Sequence, residues 1–145
     1  MNPKYCLDTS GFSNPLLEMP DDIHVTLWTQ VVNRIETGAL CWNAEIAEEL
    51  KSIPGSVGAV LKKCNGSCCL EIGDDGWPWQ EYLKTNEEWR QTYKLFISEY
   101  NGNRKRTVGL NDVSIVALAK TLNLPIISME KRHTCHIPAG SMAVF

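Results

Sequence analysis

The chain has 145 residues, of which 43% are hydrophobic and 21% are charged, and its formal net charge is -3. This length and composition fit one ordinary globular domain that covers residues 1–145. The slight negative charge argues against a protein that coats nucleic acid non-specifically, because such binding depends on many phosphate-neutralising cations. There is no apolar run of about 18 residues to cross a membrane, and the N-terminal MNPKYCLD lacks the apolar region of a signal peptide. We therefore expect a cytoplasmic protein whose six cysteines are reduced thiols.

The N-terminal part of the chain predicts one strand and one helix. Tyr5–Leu7 is a short apolar run typical of a buried strand, and a loop with Gly11 and Pro15 is expected after it. The Pro20-Asp21-Asp22 segment then predicts a helix start, since acidic side chains interact favourably with the helix dipole there. From Ile23 to Thr37 apolar residues recur at three- and four-residue steps, which indicates an amphipathic helix.

A second strand and two more helices are predicted between residues 39 and 63. Ala39–Trp42 is short and apolar, and Asn43 is a favourable cap for the helix AEIAEELKSI that follows it. Pro54 ends this helix, because proline lacks the N–H that a helix interior needs. Val57–Lys63 is predicted to continue as a short helix.

The C-terminal half predicts two further helices and two further strands. After the irregular segment CNGSCCLEIGDDGWPW, Thr85 and Glu88 form a predicted capping box that opens the helix TNEEWRQTYKLFISEY. The next helix opens at Asp112, with the sequence DVSIVALAKTLN and an apolar stripe. Asn123 is predicted to end this helix, because asparagine tolerates the left-handed conformation. Pro125–Ser128 is predicted to be a third buried strand, and the final SMAVF supplies a short strand.

Short apolar strands separated by helices predict an α/β fold with a central parallel sheet flanked by helices. Sites in such sheets form beyond the carboxyl ends of the strands. Asp8 directly follows the first strand, and Glu130 lies just past the third. Glu48 and Glu49 lie in the helix after the second strand, and Asp112 opens the helix before the third. We therefore expect four acids from distant segments to face one crevice.

Clustered carboxylates repel one another, and a fold keeps them together when a hard cation neutralises their charge. Oxygen ligands of this kind are preferred by Mg2+ and Mn2+. Most of these acids also have a structural interpretation. Asp112 suits the first turn of a helix, the adjacent Glu48 and Glu49 are typical of a solvated helix face, and Glu130 is placed for a surface ion pair. Asp8 has no comparable structural role.

The segment YCLDTS, the amphipathic helix after it, the EEL motif and NDVSIVALAKTLNLPIISMEK together resemble a PIN domain. More narrowly, the chain is similar to PIN-like proteins related to the VapC toxins of bacterial toxin–antitoxin systems. In that family the first acid ends the first strand, the second directly precedes a leucine, and the third opens a helix of the form D-x-x-I-x-A-x-A. This pattern corresponds to Asp8, Glu49 and Asp112, with Glu130 after the strand that ends in Ser128.

The resemblance implies a Mg2+- or Mn2+-dependent endoribonuclease, in which metal-activated water attacks an RNA phosphodiester and leaves a 5′-phosphate and a 3′-hydroxyl. It implies that the catalytic and metal-binding residues are Asp8, Glu49, Asp112 and Glu130. The supporting hydroxyls are those of Ser10 and Ser128. The choice of Glu49 over Glu48 depends on the resemblance alone. The resemblance also implies the toxin of a type II toxin–antitoxin pair, with a small antitoxin protein as partner and a homodimer as its assembly.

The chain departs from the family pattern in its middle, residues 64–106, and near its C-terminus. The fourth acid is Glu130 where many relatives have Asp, and fifteen residues follow it. A second interpretation is therefore a PIN-like module that binds protein or RNA with little or no hydrolysis. A phosphatase is disfavoured, because the sequence has neither a D-x-D motif nor a glycine loop that cradles phosphate.

Three further sets of residues have both a functional and a structural interpretation. The basic residues that suit RNA phosphates, or simply a solvated loop, are Arg104, Lys105, Arg106, Lys131 and Arg132. The candidate zinc ligands, whose spacing is not that of a common zinc finger, are Cys64, Cys68, Cys69, His133, Cys135 and His136. The aromatic residues that suit base stacking, a partner surface or the core are Trp77, Trp79 and Tyr82. We expect Cys6 and Cys41, which lie in predicted strands, to be core residues.

Overall fold

The computed structural model describes residues 3–63, 68–102, 107–129 and 143–144 of the chain. Its strands are β1 (Tyr5–Leu7), β2 (Leu40–Asn43), β3 (Cys69–Leu70), β4 (Ile126–Ile127) and β5 (Ala143–Val144). Its α-helices are α1 (Ser10–Glu18), α2 (Val25–Glu36), α3 (Ala44–Leu50), α4 (Gly55–Lys63), α5 (Trp79–Thr92), α6 (Ser98–Asn101) and α7 (Leu110–Leu122). A short 3-10 helix, Lys94–Phe96, lies between α5 and α6. None of the helices in these ranges has the length and apolar character needed to cross a membrane.

The five strands in the described residues form one parallel sheet in the order β3-β2-β1-β4-β5. The central strand is β1, in which Cys6 pairs with Cys41 of β2 and Leu7 pairs with Ile127 of β4. Parallel strands need crossover connections, which helices commonly provide. The predicted α/β fold with a central parallel sheet flanked by helices is therefore confirmed. Because the strands are parallel, their carboxyl ends lie along one edge of the sheet.

The hydrophobic core joins the inner strands to α7 and α2. All four residues of β2 are buried, and α7 is buried continuously from Val113 to Ala119. Burial of each large apolar side chain contributes about 1.5–3 kcal/mol to folding. Cys6 and Cys41 are fully buried with their sulfur atoms 3.6 Å apart, which confirms that they are core residues.

The predicted loop around Gly11 and Pro15 is wrong, because α1 forms there. The N–H of Phe12 donates to the Thr9 carbonyl oxygen at 3.0 Å and closes the first turn. Phe12 is buried, and the centre of its ring lies 6.1 Å from that of Trp28. Proline inside a helix costs roughly 3 kcal/mol, and the burial of Phe12 offsets part of that cost. The contact of Phe12 with Trp28 cannot be predicted from the composition of the segment alone.

The predicted capping box at Thr85 is also wrong, because α5 already begins at Trp79 and ends at Thr92. Tyr82 and Trp89 are both buried and lie two helical turns apart on one face. Packing of this face against the core therefore decides where the helix runs, and Thr85 lies in its interior.

Other predicted boundaries agree closely with the structure. The second helix begins at Val25, two residues later than expected. Asn43 caps α3 as predicted, since its side-chain oxygen accepts the N–H of Ile46 at 3.1 Å. Asn123 ends α7 in the left-handed conformation, with φ of 54°.

Candidate acidic site at the sheet edge

Asp8 lies at the carboxyl end of the central strand, as its position in the sequence predicts. Its backbone N–H donates to the Ile127 carbonyl oxygen at 3.1 Å, which extends the pairing of β1 with β4 by one residue. Only 6% of Asp8 is exposed to solvent. A buried carboxylate is costly unless hydrogen bonds or a cation offset its lost hydration.

Three donors hold the Asp8 carboxylate in one orientation. The Thr9 N–H donates to Oδ1 at 2.9 Å, while the hydroxyls of Ser10 and Ser128 donate to Oδ2 at 2.9 and 3.0 Å. The two hydroxyl oxygens lie 3.2 Å apart, and the Met129 N–H donates to that of Ser10 at 3.1 Å. The predicted supporting residues Ser10 and Ser128 thus contact the first acid directly, although they lie at opposite ends of the sequence.

Glu49 is held from two sides. It lies in the last turn of α3, where its Oε2 accepts a short hydrogen bond from the Thr9 hydroxyl. Its Oε1 accepts the side-chain amide of Asn111 at 3.1 Å. The neighbouring Glu48 points outward, with 71% of its side chain exposed, and pairs with Lys51 at 2.6 Å. Of the two adjacent glutamates, Glu49 is therefore the one that faces the site.

Asp112 lies in the first turn of α7 and is half-buried. Its Oδ2 accepts the backbone N–H of Gly109 at 3.2 Å, so it caps the helix on which it lies. The structural role that the sequence suggested for this residue is therefore present. The same carboxylate also faces the pocket that Asp8 and Glu49 line.

The three acids line one polar pocket of about 370 Å³, which we call the acidic pocket. Its lining residues are Asp8, Thr9, Ser10, Ser13, Asn14, Glu49, Ser52 and Asp112. All are polar, three are carboxylates, and no lysine, arginine or histidine is among these described lining residues. A concave site lined by carboxylates carries a negative potential, and it therefore attracts cations.

The oxygen atoms of the acidic pocket suit a hard cation more than zinc. Carboxylate, amide and hydroxyl oxygens are typical ligands of Mg2+, which keeps several waters and uses one or two carboxylates. In the described ranges, however, no group of three or more Asp, Glu, His and Cys side chains lies close enough to hold a metal ion. Both oxygens of Glu49 and both oxygens of Asp8 already accept hydrogen bonds from the protein. The residues therefore fit a hydrated ion in contact with one or two carboxylates.

The remaining predicted site residues lie elsewhere or cannot be placed. Outside the described residues lie Glu130, Arg104, Lys105, Arg106, Lys131, Arg132, Cys64, His133, Cys135 and His136. Cys68 is buried and its thiol contacts the Ile35 carbonyl oxygen at 3.3 Å. Burial, followed by the charge of Glu71, raises the pKa of the Cys69 thiol to about 11.

Of the three aromatic residues singled out in the sequence, Tyr82 belongs to the core. Its side chain is buried, and its ring centre lies 5.5 Å from that of Trp77. Trp77 and Trp79 are both half-buried. The core interpretation is therefore correct for Tyr82.

Sequence reasoning missed the two residues that hold Glu49. Thr9 was included only as part of the motif DTS, and Asn111 only as a neighbour of the helix start. The hydrogen bonds they make join residues 40 and 62 positions apart. The only available signal was that each adjoins a predicted acid, Asp8 or Asp112.

No protein-family model, curated protein or solved structure matches the chain. A functional assignment is therefore supported by the acidic pocket and by the motifs that resemble a PIN domain.

Proposed function

We propose that this chain is a PIN-type endoribonuclease that hydrolyses RNA phosphodiester bonds with Mg2+ or Mn2+. The observation that carries the proposal is the acidic pocket, in which Asp8, Glu49 and Asp112 converge from distant parts of the sequence. The motif resemblance selects the same three residues without any knowledge of the fold. Acids with a purely structural role usually pair with bases or face solvent, whereas Asp8 is buried in a pocket whose described lining has no base.

A divalent cation would be held by Asp8 and Asp112. Glu49 would contact it directly or through water, while Thr9 and Asn111 hold its carboxylate in place. When bound, the cation lowers the pKa of a water ligand, orients the phosphodiester and offsets the charge of the transition state. Glu130 remains the proposed fourth acid.

The chain's own residues orient the carboxylates and the substrate. The donors from Thr9, Ser10 and Ser128 hold Asp8 in place before any substrate arrives, which removes a cost of reorganisation. The side chains of Asn14 and Ser52 line the pocket and supply neutral hydrogen-bonding groups for phosphate and ribose oxygens. Attack by water on the phosphorus, in line with the leaving 3′-oxygen, gives a 5′-phosphate and a 3′-hydroxyl. The residues proposed to contact flanking RNA phosphates are Arg104, Lys105, Arg106, Lys131 and Arg132.

A second candidate is a PIN-like module that binds RNA or protein with little hydrolysis. The observation that favours it is that both carboxylate oxygens of Glu49 accept hydrogen bonds, one from Thr9 and one from Asn111. Mg2+ affinity separates the two candidates. The nuclease binds Mg2+ in a manner that Asp8→Asn abolishes without unfolding, whereas the binding module has no such site.

The decisive test is incubation of the purified chain with a mixed RNA pool in Mg2+, in Mn2+ or in chelator. We expect cleavage that needs the metal and that falls by about a hundredfold or more in Asp8→Asn, Asp112→Asn and Glu49→Gln. Glu48→Gln is the matched control, because its side chain faces solvent one residue away from Glu49. Cleavage that survives both aspartate substitutions would refute the proposal.

We also propose that the chain acts in the cytoplasm as the toxin of a type II toxin–antitoxin pair, as a homodimer neutralised by a small antitoxin protein. This part of the proposal is supported by the motif resemblance. Induced expression in a bacterial host tests it, since wild type is expected to arrest growth and Asp8→Asn is not. Equal arrest by both proteins would contradict a role for the acidic pocket in toxicity.

A further inference from the structure

Two polar contacts tie α3 to α7, one at each end of α3. At its C-terminal end, the Asn111 amide donates to Glu49 Oε1 at 3.1 Å. At its N-terminal end, the capping residue Asn43 donates to the Ser114 hydroxyl at 2.9 Å. Ser114 in turn donates to the backbone carbonyl oxygen of Asn111 at 2.8 Å, so this chain of contacts runs from Asn43 through Ser114 and the Asn111 backbone to Glu49.

The inner end of this chain is buried and fully engaged. Asn43 is 1% exposed and Ser114 is 3% exposed. The side-chain Oδ1 of Asn43 accepts the Ile46 N–H at 3.1 Å, and its side-chain amide also donates to the Tyr82 hydroxyl at 3.2 Å. Burial raises the pKa of Tyr82, which keeps that hydroxyl protonated. Buried polar groups with all partners present favour one geometry, because any other leaves a group unpaired.

These contacts connect the helices that carry two of the proposed acids. Glu49 lies on α3, and Asp112 directly follows Asn111 in the first turn of α7. Like charges on the two helices repel, and a donor placed between them offsets that repulsion. A shift of α7 along α3 would change the separation of the two carboxylates and with it the space for a hydrated ion.

We propose that Asn111, with Ser114 and Asn43 behind it, positions Glu49 relative to Asp112 and so sets the divalent-cation affinity of the acidic pocket. This inference rests on the proposed function, since it assigns these residues a role at the same site. Ser114 and Asn43 do not line the acidic pocket. Their effect is therefore transmitted through the position of Asn111.

Mn2+ binding by the purified chain, measured by electron paramagnetic resonance without RNA, tests this inference. We expect Asn111→Ala to weaken binding by about 10- to 100-fold and Ser114→Ala by about tenfold, the range found for residues that orient metal ligands. Ser114→Thr keeps the hydroxyl and is expected to restore near wild-type affinity. Thr121→Val removes a similar hydroxyl-to-backbone bond at the other end of α7, where Thr121 donates to the Ala117 carbonyl oxygen at 2.8 Å, and it is expected to leave affinity unchanged.

Urea unfolding of each variant distinguishes a positioned site from general destabilisation. Unchanged Mn2+ affinity in Asn111→Ala and Ser114→Ala would overturn the inference and leave the proposed function intact. Equal weakening by Ser114→Ala and Ser114→Thr, or by Thr121→Val, would also overturn it, since packing rather than the Ser114 hydroxyl would then decide affinity. A wild-type chain that binds no Mn2+ would instead overturn the proposed function, and the inference with it.

Discussion

Substitution of Asp8 by asparagine or by alanine separates the chemical role of this carboxylate from its structural role. Three protein donors point at the Asp8 oxygens, from the Thr9 N–H and the hydroxyls of Ser10 and Ser128. Asparagine keeps the shape of the side chain and an oxygen for the Thr9 N–H. Its amide donates to the two hydroxyls, which rotate to accept because a hydroxyl is both donor and acceptor.

The expected change in the free energy of unfolding follows from this count. In Asp8→Asn all three charge-assisted hydrogen bonds become neutral ones, which costs about 0.5–1 kcal/mol each. Removal of one of three carboxylates from the acidic pocket relieves a repulsion of about the same size. The net change for Asp8→Asn is therefore a loss of about 1–2 kcal/mol. Asp8→Ala loses all three hydrogen bonds without replacement and is expected to cost about 2–4 kcal/mol.

Urea unfolding followed by tryptophan fluorescence measures both variants, because Trp28 and Trp42 are buried. At ten times its dissociation constant, Mg2+ is expected to stabilise the wild type by about 1.4 kcal/mol and Asp8→Asn by nothing. Comparable destabilisation by asparagine and alanine would refute the hydrogen-bond reasoning. An equal Mg2+-induced shift in wild type and Asp8→Asn would refute the metal site.

Three further predictions concern other parts of the chain. The Ser56 hydroxyl, and then the backbone N–H groups of Val57 and Ser56, lower the pKa of Asp21 below its ordinary value of 3.8. The ionised Asp21 therefore stabilises the folded chain above pH 3.8, and this stabilisation is lost as the pH falls through the lowered pKa. The urea midpoints of wild type and Asp21→Asn should differ at pH 6 and converge in acid. A difference that does not depend on pH would contradict this. Gly58→Ala would place its Cβ 1.8 Å from the Ile53 carbonyl oxygen. We therefore expect the free energy of unfolding in urea to fall by roughly 3 kcal/mol or more. A fall below about 1 kcal/mol would contradict the close approach. With the pKa of Cys69 raised to about 11, alkylation at pH 8 followed by mass mapping should label this thiol only after unfolding, and rapid labelling of the folded chain would contradict its burial.

Local sequence signals predicted the elements whose ends depend on nearby residues. Asn43 caps a helix because its own side chain accepts an N–H three residues later, and Asn123 ends a helix because it tolerates positive φ. Tyr5–Leu7 is a strand in both the prediction and the structure. The helix α1 was missed because glycine and proline are local signals for a loop, whereas the packing of Phe12 on Trp28 is not local.

Sequence patterns predicted the α/β class and the strands β1, β2, β4 and β5, but they missed α1 and placed β3 in an irregular segment. The alternation of apolar strands with amphipathic helices requires a parallel sheet, and Asp8 follows its first strand directly. Packing between distant segments turns Glu49 towards the site and Glu48 towards solvent, and it brings Thr9 and Asn111 to Glu49. The physical reason is that backbone periodicity is set by neighbours along the chain, whereas a side-chain hydrogen bond is set by whichever groups packing brings within about 3 Å.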